Sequence, residues 1–405
     1  MKRYWMLLVL LVVSLGSISF HYVGAVQGPK PDYYLKMLTG KEEEAAGLAV
    51  KGRYQAEPIA VTTKGSEYPN DHQSYLAKMD FSYYYEDELK ELLKEHRSFM
   101  RGKQDRSAFF EDDNVIGYVG SDYQYDLDKG QSDILDIALY DKGKKKNSAA
   151  FKVQIKKNED DFISICDVQI KGQTMKVLIV FQQQLAGSRQ VFKNPEYHMY
   201  TIDLDKKMVV AHERIETGAK QEDKLKSVVS YRGASDFLKS SRYEIFDQRT
   251  YEWKDGNEDN RKLVNREIFV YDIWKGQLTK ILNESIHELL MKPKVEDQTI
   301  QQVGDDLYIS LISESEPSQV MRYDLAENKI KSDAKLELQT MQIKWGQARI
   351  TQIVNNRAYI LMLGKLNPAA AIIDLDTKKT VYEGVVERRG SPDMSELSIS
   401  DLTVK

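Results

Sequence analysis

One short pattern recurs along this chain and constrains its fold more than any other feature. An apolar stretch leads into Tyr or Ile, then Asp, then usually Leu or Ile, a polar turn and a further run of strand-forming residues. The copies are IALYDKGKKKNSAAFKV (137–153), YTIDLDKKMVVAHERI (200–215), FVYDIWKGQLTKIL (269–282), MRYDLAENKIKSDAKL (321–336) and AIIDLDTKKTVYEGVV (371–386). Their aspartates are Asp141, Asp203, Asp272, Asp324 and Asp374, at intervals of 62, 69, 52 and 50 residues. In four copies another strand-like run comes first: KVLIVFQQQ (176–184), RYEIFDQRTYEW (242–253), DDLYISLIS (305–313) and NRAYILMLG (356–364). Asp suits the point where a strand leaves a sheet, because its carboxylate bonds backbone amides of the following turn.

A repeat of this length with about four strands has a physical reading. A four-stranded antiparallel sheet with two apolar faces cannot bury them alone, whereas similar sheets stacked around an axis bury both and protect their edges. From residue 107 to 387 the chain resembles the broad β-propeller class. The Trp-Asp ending, the Ser-x-Asp-x-Gly-x-Thr-Trp box and the Tyr-Trp-Thr-Asp string do not occur, so no particular family is named. The resemblance implies an all-β, β-propeller-like body of five to seven blades over residues 48–389. A multi-sheet β-sandwich is the alternative. Strands within 47–64 are expected to close the ring against the sheet at Thr380 to Arg388, and the tail 390–405 to be loosely ordered.

Residues 1–28 carry Lys2 and Arg3 before an apolar run from Trp5 to Val26, which is an export pattern. The run reads as an uncleaved single-pass anchor with the body outside the membrane. Its alternative is a signal peptide cleaved near Ala25, giving a secreted protein. Residues 29–47, with Pro29, Pro31 and an acidic run, read as a tether. One short amphipathic helix is expected within Asp80 to Met100, where Leu89, Leu92, Leu93 and Phe99 recur at helical spacing and Gly102 marks the stop.

Composition narrows the function. Charged residues make up 30% and the chain has 24 Tyr and 12 Phe, which suits a folded body rather than a disordered one. The net charge of −4 opposes a nucleic-acid partner, which needs a basic footprint. The basic run Lys142–Lys146 reads as a solvated turn. Cys166 is the one cysteine, so no intrachain disulfide is available. It is expected to be a small buried apolar residue sharing a strand face with Phe162, Val168 and Ile170.

Catalytic motifs are not apparent. His287-Glu288 lacks the second His of a zinc-protease helix, and Gly233-Ala234-Ser235 lacks the closing Gly of a nucleophile elbow. His198 and His212 flank one hairpin and can approach each other, without a third ligand to make a metal site. The loops Asp255–Asn260 and Asp126–Gly130 depart from a calcium loop through Asn260, Arg266 and Lys129, and read as solvated turns. No metal and no cofactor are expected. Exposed aromatics beside acids remain: Tyr83, Tyr84 and Tyr85, and Asp122, Tyr123 and Tyr125, which together make a candidate partner-facing patch.

These features suggest a non-catalytic, extracytoplasmic binding, scaffold or sensor-accessory protein of a bacterial envelope, with the membrane as one partner through residues 1–28. Its other partner would be a protein, a peptide or a wall-derived ligand. The alternative is an envelope-polysaccharide hydrolase or lyase that uses carboxylates at the propeller mouth. Acids converging near the axis with raised pKa values would favour it.

Overall fold

The computed structural model describes residues 30–72, 87–103, 105–121, 134–155, 161–183, 195–220, 222, 224–233, 238–253, 261–292, 298–313, 318–336, 345–364 and 367–404, with Trp5, Leu10, Val12–Ser14 and Gly16 near the start. Among them are six antiparallel sheets. Strand β1 (Tyr33–Gly40) comes first in the chain but belongs to the last sheet. Sheet I holds β2 (Leu48–Tyr54), β3 (Glu57–Val61) and β4 (Ser66–Glu67). Sheet II holds β5 (Phe109–Glu111), β6 (Val115–Ser121), β7 (Ile134–Asp141) and β8 (Lys146–Gln154). Sheet III holds β9 (Asp161–Lys171), β10 (Thr174–Gln183), β11 (Glu196–Asp203) and β12 (Met208–Ile215). Sheet IV holds β13 (Leu225–Arg232), β14 (Tyr243–Trp253), β15 (Arg261–Asp272) and β16 (Gln277–Lys280). Sheet V holds β17 (Gln298–Val303), β18 (Asp306–Leu311), β19 (Ser318–Asp324) and β20 (Lys329–Leu336). Sheet VI holds β21 (Trp345–Val354), β22 (Arg357–Gly364), β23 (Ala369–Asp374) and β24 (Lys379–Arg388), and its fifth strand is β1. The last strand, β25 (Leu397–Val404), pairs with β2 and completes sheet I.

Consecutive sheets stack face to face. Val119 and Ile137 of sheet II meet Ile165 and Val168 of sheet III. Leu178 and Met199 of sheet III meet Phe246 and Tyr271 of sheet IV. Ile245 and Ile268, on the other face of sheet IV, meet Ile309 and Met321 of sheet V. Sheet V meets sheet VI through Val320 and Leu336 against Ile350 and Ile360, and sheet VI meets sheet I through Leu361 and Ile372 against Val50 and Ile59. Neighbouring residues such as Ile245 and Phe246 are therefore both buried, one toward each side, because a strand presents alternate residues to opposite faces. This strand order and serial stacking belong to the β-propeller class, and the described residues supply six such sheets.

The aspartate repeat has one geometry throughout. In all five copies the carboxylate Oδ1 accepts the amide of the residue three positions on: Lys144, Lys206, Lys275, Glu327 and Thr377, at 2.7–3.1 Å. The next residue is left-handed in every copy: Lys145 (φ 51°), Lys207 (56°), Gly276 (64°), Asn328 (55°) and Lys378 (61°). The residue after each aspartate donates its amide to a carbonyl in the preceding turn, that of Asn114, Gln173, Arg242, Asp305 or Asn356. In four copies its side chain is buried (Leu204, Ile273, Leu325 and Leu375). In the first copy Lys142 takes that place and bonds Glu111 instead. The Asp-Leu step thus ties two turns of one sheet end together and plugs the gap between them. Turn amides hold the carboxyls of Asp141, Asp203 and Asp374 below the usual range.

Several expectations need correction. Residues 33–40, assigned to the tether, are the outer strand of sheet VI, because Tyr33 and Leu35 alternate into the core. The stretch 48–61 does not pair with 380–388, since β1 holds that edge. It pairs with 397–404 in the tail expected to be loose, where Ile399 and Leu402 are buried. The expected helix is two pieces, α1 (Asp87–Glu95) and α2 (Arg97–Met100), separated at His96 (φ −124°, ψ 40°). Leu89, Leu92, Phe99 and Met100 cover Phe109, Ile116 and Tyr140, on the face of sheet II turned away from sheet III. Among the described residues no apolar cluster joins sheet I to sheet II, and the helices cover the free face of sheet II. No helix of the described residues is long and apolar enough to cross a membrane.

The left-handed turn positions can be tested directly. Lys207→Gly and Lys378→Gly are each expected to stabilise the protein by up to about 1 kcal/mol, because a side chain costs energy at positive φ. Asp374→Ala should cost about 1 kcal/mol by stranding turn amides. Urea unfolding midpoints of the three variants read both effects.

Candidate functional site

Polar side chains concentrate where sheets III, IV and V meet. On β9 a bulge at Cys166 changes the register between Ile165 and Asp167. The bulge moves Cys166 off the face of Val168 and Ile170, where it was expected, and toward the cluster shared with sheet IV. Burial pushes its thiol pKa up, so it is not a ready nucleophile. Asp167 and Gln169 follow the bulge. Gln169 Nε2 donates to Asp167 Oδ2 at 2.8 Å, and its Oε1 accepts the amide of Ser241 at 2.9 Å. Ser241 Oγ accepts from Gln302 Nε2 of β17 at 3.0 Å and donates to the Tyr243 carbonyl at 2.8 Å. One serine in the β13–β14 connection therefore links three successive sheets.

Glu244, on the sheet III side of β14, faces Asp167. The two carboxyls hydrogen-bond each other, and Tyr231 Oη donates to Glu244 Oε2 at 2.8 Å. Asp167 is 6% exposed and Glu244 is 1% exposed. Burial pushes Asp167 up to about 6, against the pull of its hydrogen bonds. Burial, and then the neighbouring Asp167 charge, drive Glu244 well above the carboxylate range. Two buried acids in contact disfavour double ionisation, so the pair holds on to a proton above the usual carboxylate range.

The opposite face of β14 carries a different centre. Asp247, fully buried, receives Arg266 Nε at 2.8 Å on Oδ1 and Arg266 Nη2 at 2.9 Å on Oδ2. The same Oδ2 accepts Arg232 Nη2 at 2.9 Å and Arg249 Nη2 at 3.0 Å. Burial alone would raise the pKa of Asp247, but the bonds and charges of Arg266, Arg249 and Arg232 hold it at about 2. Arg266 is itself buried and donates to Gln298 of β17, whose amide reaches the Leu289 carbonyl in helix α3 (Glu284–Leu290).

Tyr83, Tyr84, Tyr85, Asp122, Tyr123 and Tyr125 fall outside the described residues, as do the loops 255–260 and 126–130 apart from their flanks. His198 and His212 do approach, with Nδ1 and Nε2 2.8 Å apart and their rings stacked. Burial and the neighbouring His212 lower the pKa of His198. Among the described residues no group of three or more His, Cys, Asp or Glu is placed to hold a metal ion. Sequence reading passed over Asp167, Glu244, Asp247 and Arg266. Their signal was charge inside the strand runs CDVQI, YEIFDQRTY and NREIFVY, where both faces are needed for packing.

No family model matches the chain, and no curated protein matches it. Among solved structures it is similar to an ulvan lyase from a polysaccharide lyase family, with 8% identity over 91% of this chain and 94% of that one and a TM-score of 0.38. It is also similar to the Dos1 propeller, with 10% identity over 65% and 63% of the two chains and a TM-score of 0.29. The β-propeller domain of the trilobed protease of Pyrococcus furiosus shares 11% identity over 66% and 82%, with a TM-score of 0.23. Likeness at this level carries no chemistry across, and the propeller class stands on strand order and stacking.

Both centres give measurable expectations. The raised acid pair favours folding below the unfolded carboxyl pKa of about 4, and that contribution is lost as pH rises through about 6 and beyond. Glu244→Gln keeps the shape and removes the charge conflict. The decline in Tm between pH 4 and 8 should therefore be shallower in the variant, with the variant at least as stable as the parent at pH 8. Arg266→Ala leaves Asp247 buried with fewer partners and should cost about 3–5 kcal/mol in denaturant unfolding.

Proposed function

We propose that this chain is an extracytoplasmic, membrane-tethered binding, scaffold or sensor-accessory protein of a bacterial cell envelope, and that it is non-catalytic. The observation carrying this reading is the state of the acids buried within its strands. Asp167, Glu244 and Asp247 are all buried; Glu244 and Asp247 are bonded to neighbouring strands, and Asp167 to Gln169 of its own strand and to Glu244 of the next sheet. A general acid or base has to reach its substrate within hydrogen-bond distance. These groups instead hold sheets III, IV and V together. Lys2, Arg3 and the apolar run from Trp5 support export and tethering through residues 1–28. Tyr83–Tyr85 and Asp122–Tyr125 are the proposed partner-facing patch, since aromatics beside acids suit a peptide or wall-derived ligand.

The second reading is an envelope-polysaccharide hydrolase or lyase. The raised pKa values of Asp167 and Glu244 favour it, because a carboxyl kept protonated at neutral pH is a usable acid. Their burial weighs against it.

Cell fractionation with mass determination of the N-terminus tests the tether. The full-length chain, intact at Met1 or Lys2, is expected in the membrane fraction. A new terminus near Ala25 in the medium would replace the tether with secretion. In parallel, the purified protein is expected to leave envelope polysaccharides uncut. Depolymerisation that Glu244→Gln abolishes would replace the binding reading with the enzyme.

A further inference from the structure

The arginine cluster on sheet IV is out of charge balance. Arg232, Arg249 and Arg266 all bond the single carboxylate of Asp247, at 2.9, 3.0 and 2.8 Å. Guanidinium groups stay charged in proteins, so three positive charges surround one negative charge. Among the described residues these arginines form no ion pair with any other carboxylate. The imbalance is felt inside the cluster: after burial itself, the charges of Arg249 and Arg232 help lower the pKa of Arg266, opposing Asp247. The Nε of Arg232 is buried without a hydrogen-bond partner. Surplus like charge is costly, and an oxyanion bound at the exposed part of the cluster relieves it.

The arrangement is also accessible. Arg266 is sealed inside, but the side chains of Arg232 and Arg249 are 37% and 23% exposed. Asp247 Oδ2 accepts from both and anchors their guanidinium groups. Anchored guanidinium groups suit carboxylate or phosphate oxygens. The cluster lies on the face of β13, β14 and β15 turned toward sheet V, where Gln298 is the neighbouring amide.

We propose that Arg232 and Arg249, pre-oriented by Asp247 and backed by Arg266, form a binding site for the oxyanion of an anionic ligand. This rests on the binding reading above and gives it a ligand class, a polymer or peptide carrying carboxylate or phosphate groups. Asp247 and Arg266 are positioning residues, and Arg232 and Arg249 make the contact.

Isothermal titration calorimetry of the purified full-length chain tests the site, with sodium phosphate and sodium glucuronate as probes in chloride buffer of matched ionic strength. At least one probe is expected to bind saturably. Arg232→Gln and Arg249→Gln should each weaken that binding by about tenfold or more, a loss of about 1.4 kcal/mol. Arg214→Gln, an exposed arginine on sheet III, should leave it unchanged. Binding of phosphate alone assigns a phosphate-bearing ligand, and binding of glucuronate alone a carboxylate-bearing one. Absence of binding by both probes, or equal binding by the parent and Arg249→Gln, overturns the site. If circular dichroism shows Arg232→Gln unfolded, Arg249→Lys decides. It keeps the charge but loses the fork, so parent-like affinity there also overturns the proposal. Polysaccharide turnover is read separately, so loss of the anion site and loss of the non-catalytic reading give different results.

Discussion

A strand that presents apolar side chains to both sides cannot lie on a surface, and every larger feature of this protein answers that constraint. Ile245 and Phe246 are adjacent, and each needs a different sheet to cover it. Stacking one sheet on the next satisfies both, but it leaves the first and last members of the series with a bare face. The chain resolves this with its ends. Strand β25 enters sheet I and β1 enters sheet VI, so residues far apart in sequence share the Val50, Ile59 and Ile372 cluster. Helices α1 and α2 resolve it differently, by laying Leu89, Leu92 and Phe99 over sheet II. Gly117 fits the same demand for close stacking, since a Cβ there would lie 2.5 Å from Ile170 of the next sheet.

Close stacking makes buried polar groups consequential. Sheet IV carries one such centre on each face: the Asp167–Glu244 acid pair toward sheet III and the Asp247 arginine cluster toward sheet V. Both occupy positions that an apolar residue would fill at lower electrostatic cost, because removing charge from water is expensive even when it is paired. The acid pair lowers its cost by keeping a proton. The arginine cluster cannot, since guanidinium groups do not give theirs up. The first centre is thereby closed on itself, while the second retains surplus charge and donors that reach the surface.

The turn motif shows what local chemistry contributes. A carboxylate accepting the amide three residues on, a left-handed residue after it, and an apolar residue seated beside it recur in sheets II to VI with only the first apolar seat changed to Lys142. Such a motif is legible because all its parts lie within a few residues. The acid pair was not legible for the opposite reason. Asp167 and Glu244 are far apart in the chain, and a bulge at Cys166 chooses the side that Asp167 faces. The sequence marks them only as charge within strand runs.

The strands, their aspartate-led turns and the need for serial stacking were therefore set by the sequence alone, because alternation and short-range hydrogen bonding require no distant partner. The tertiary structure decided the pairings of β1 and β25, the break at His96 and the meeting of Asp167 with Glu244 and of Asp247 with its arginines. Each of these depends on which surfaces remain uncovered once the sheets have stacked, and on which charges can find a partner there. That is a property of the assembled faces rather than of any one segment.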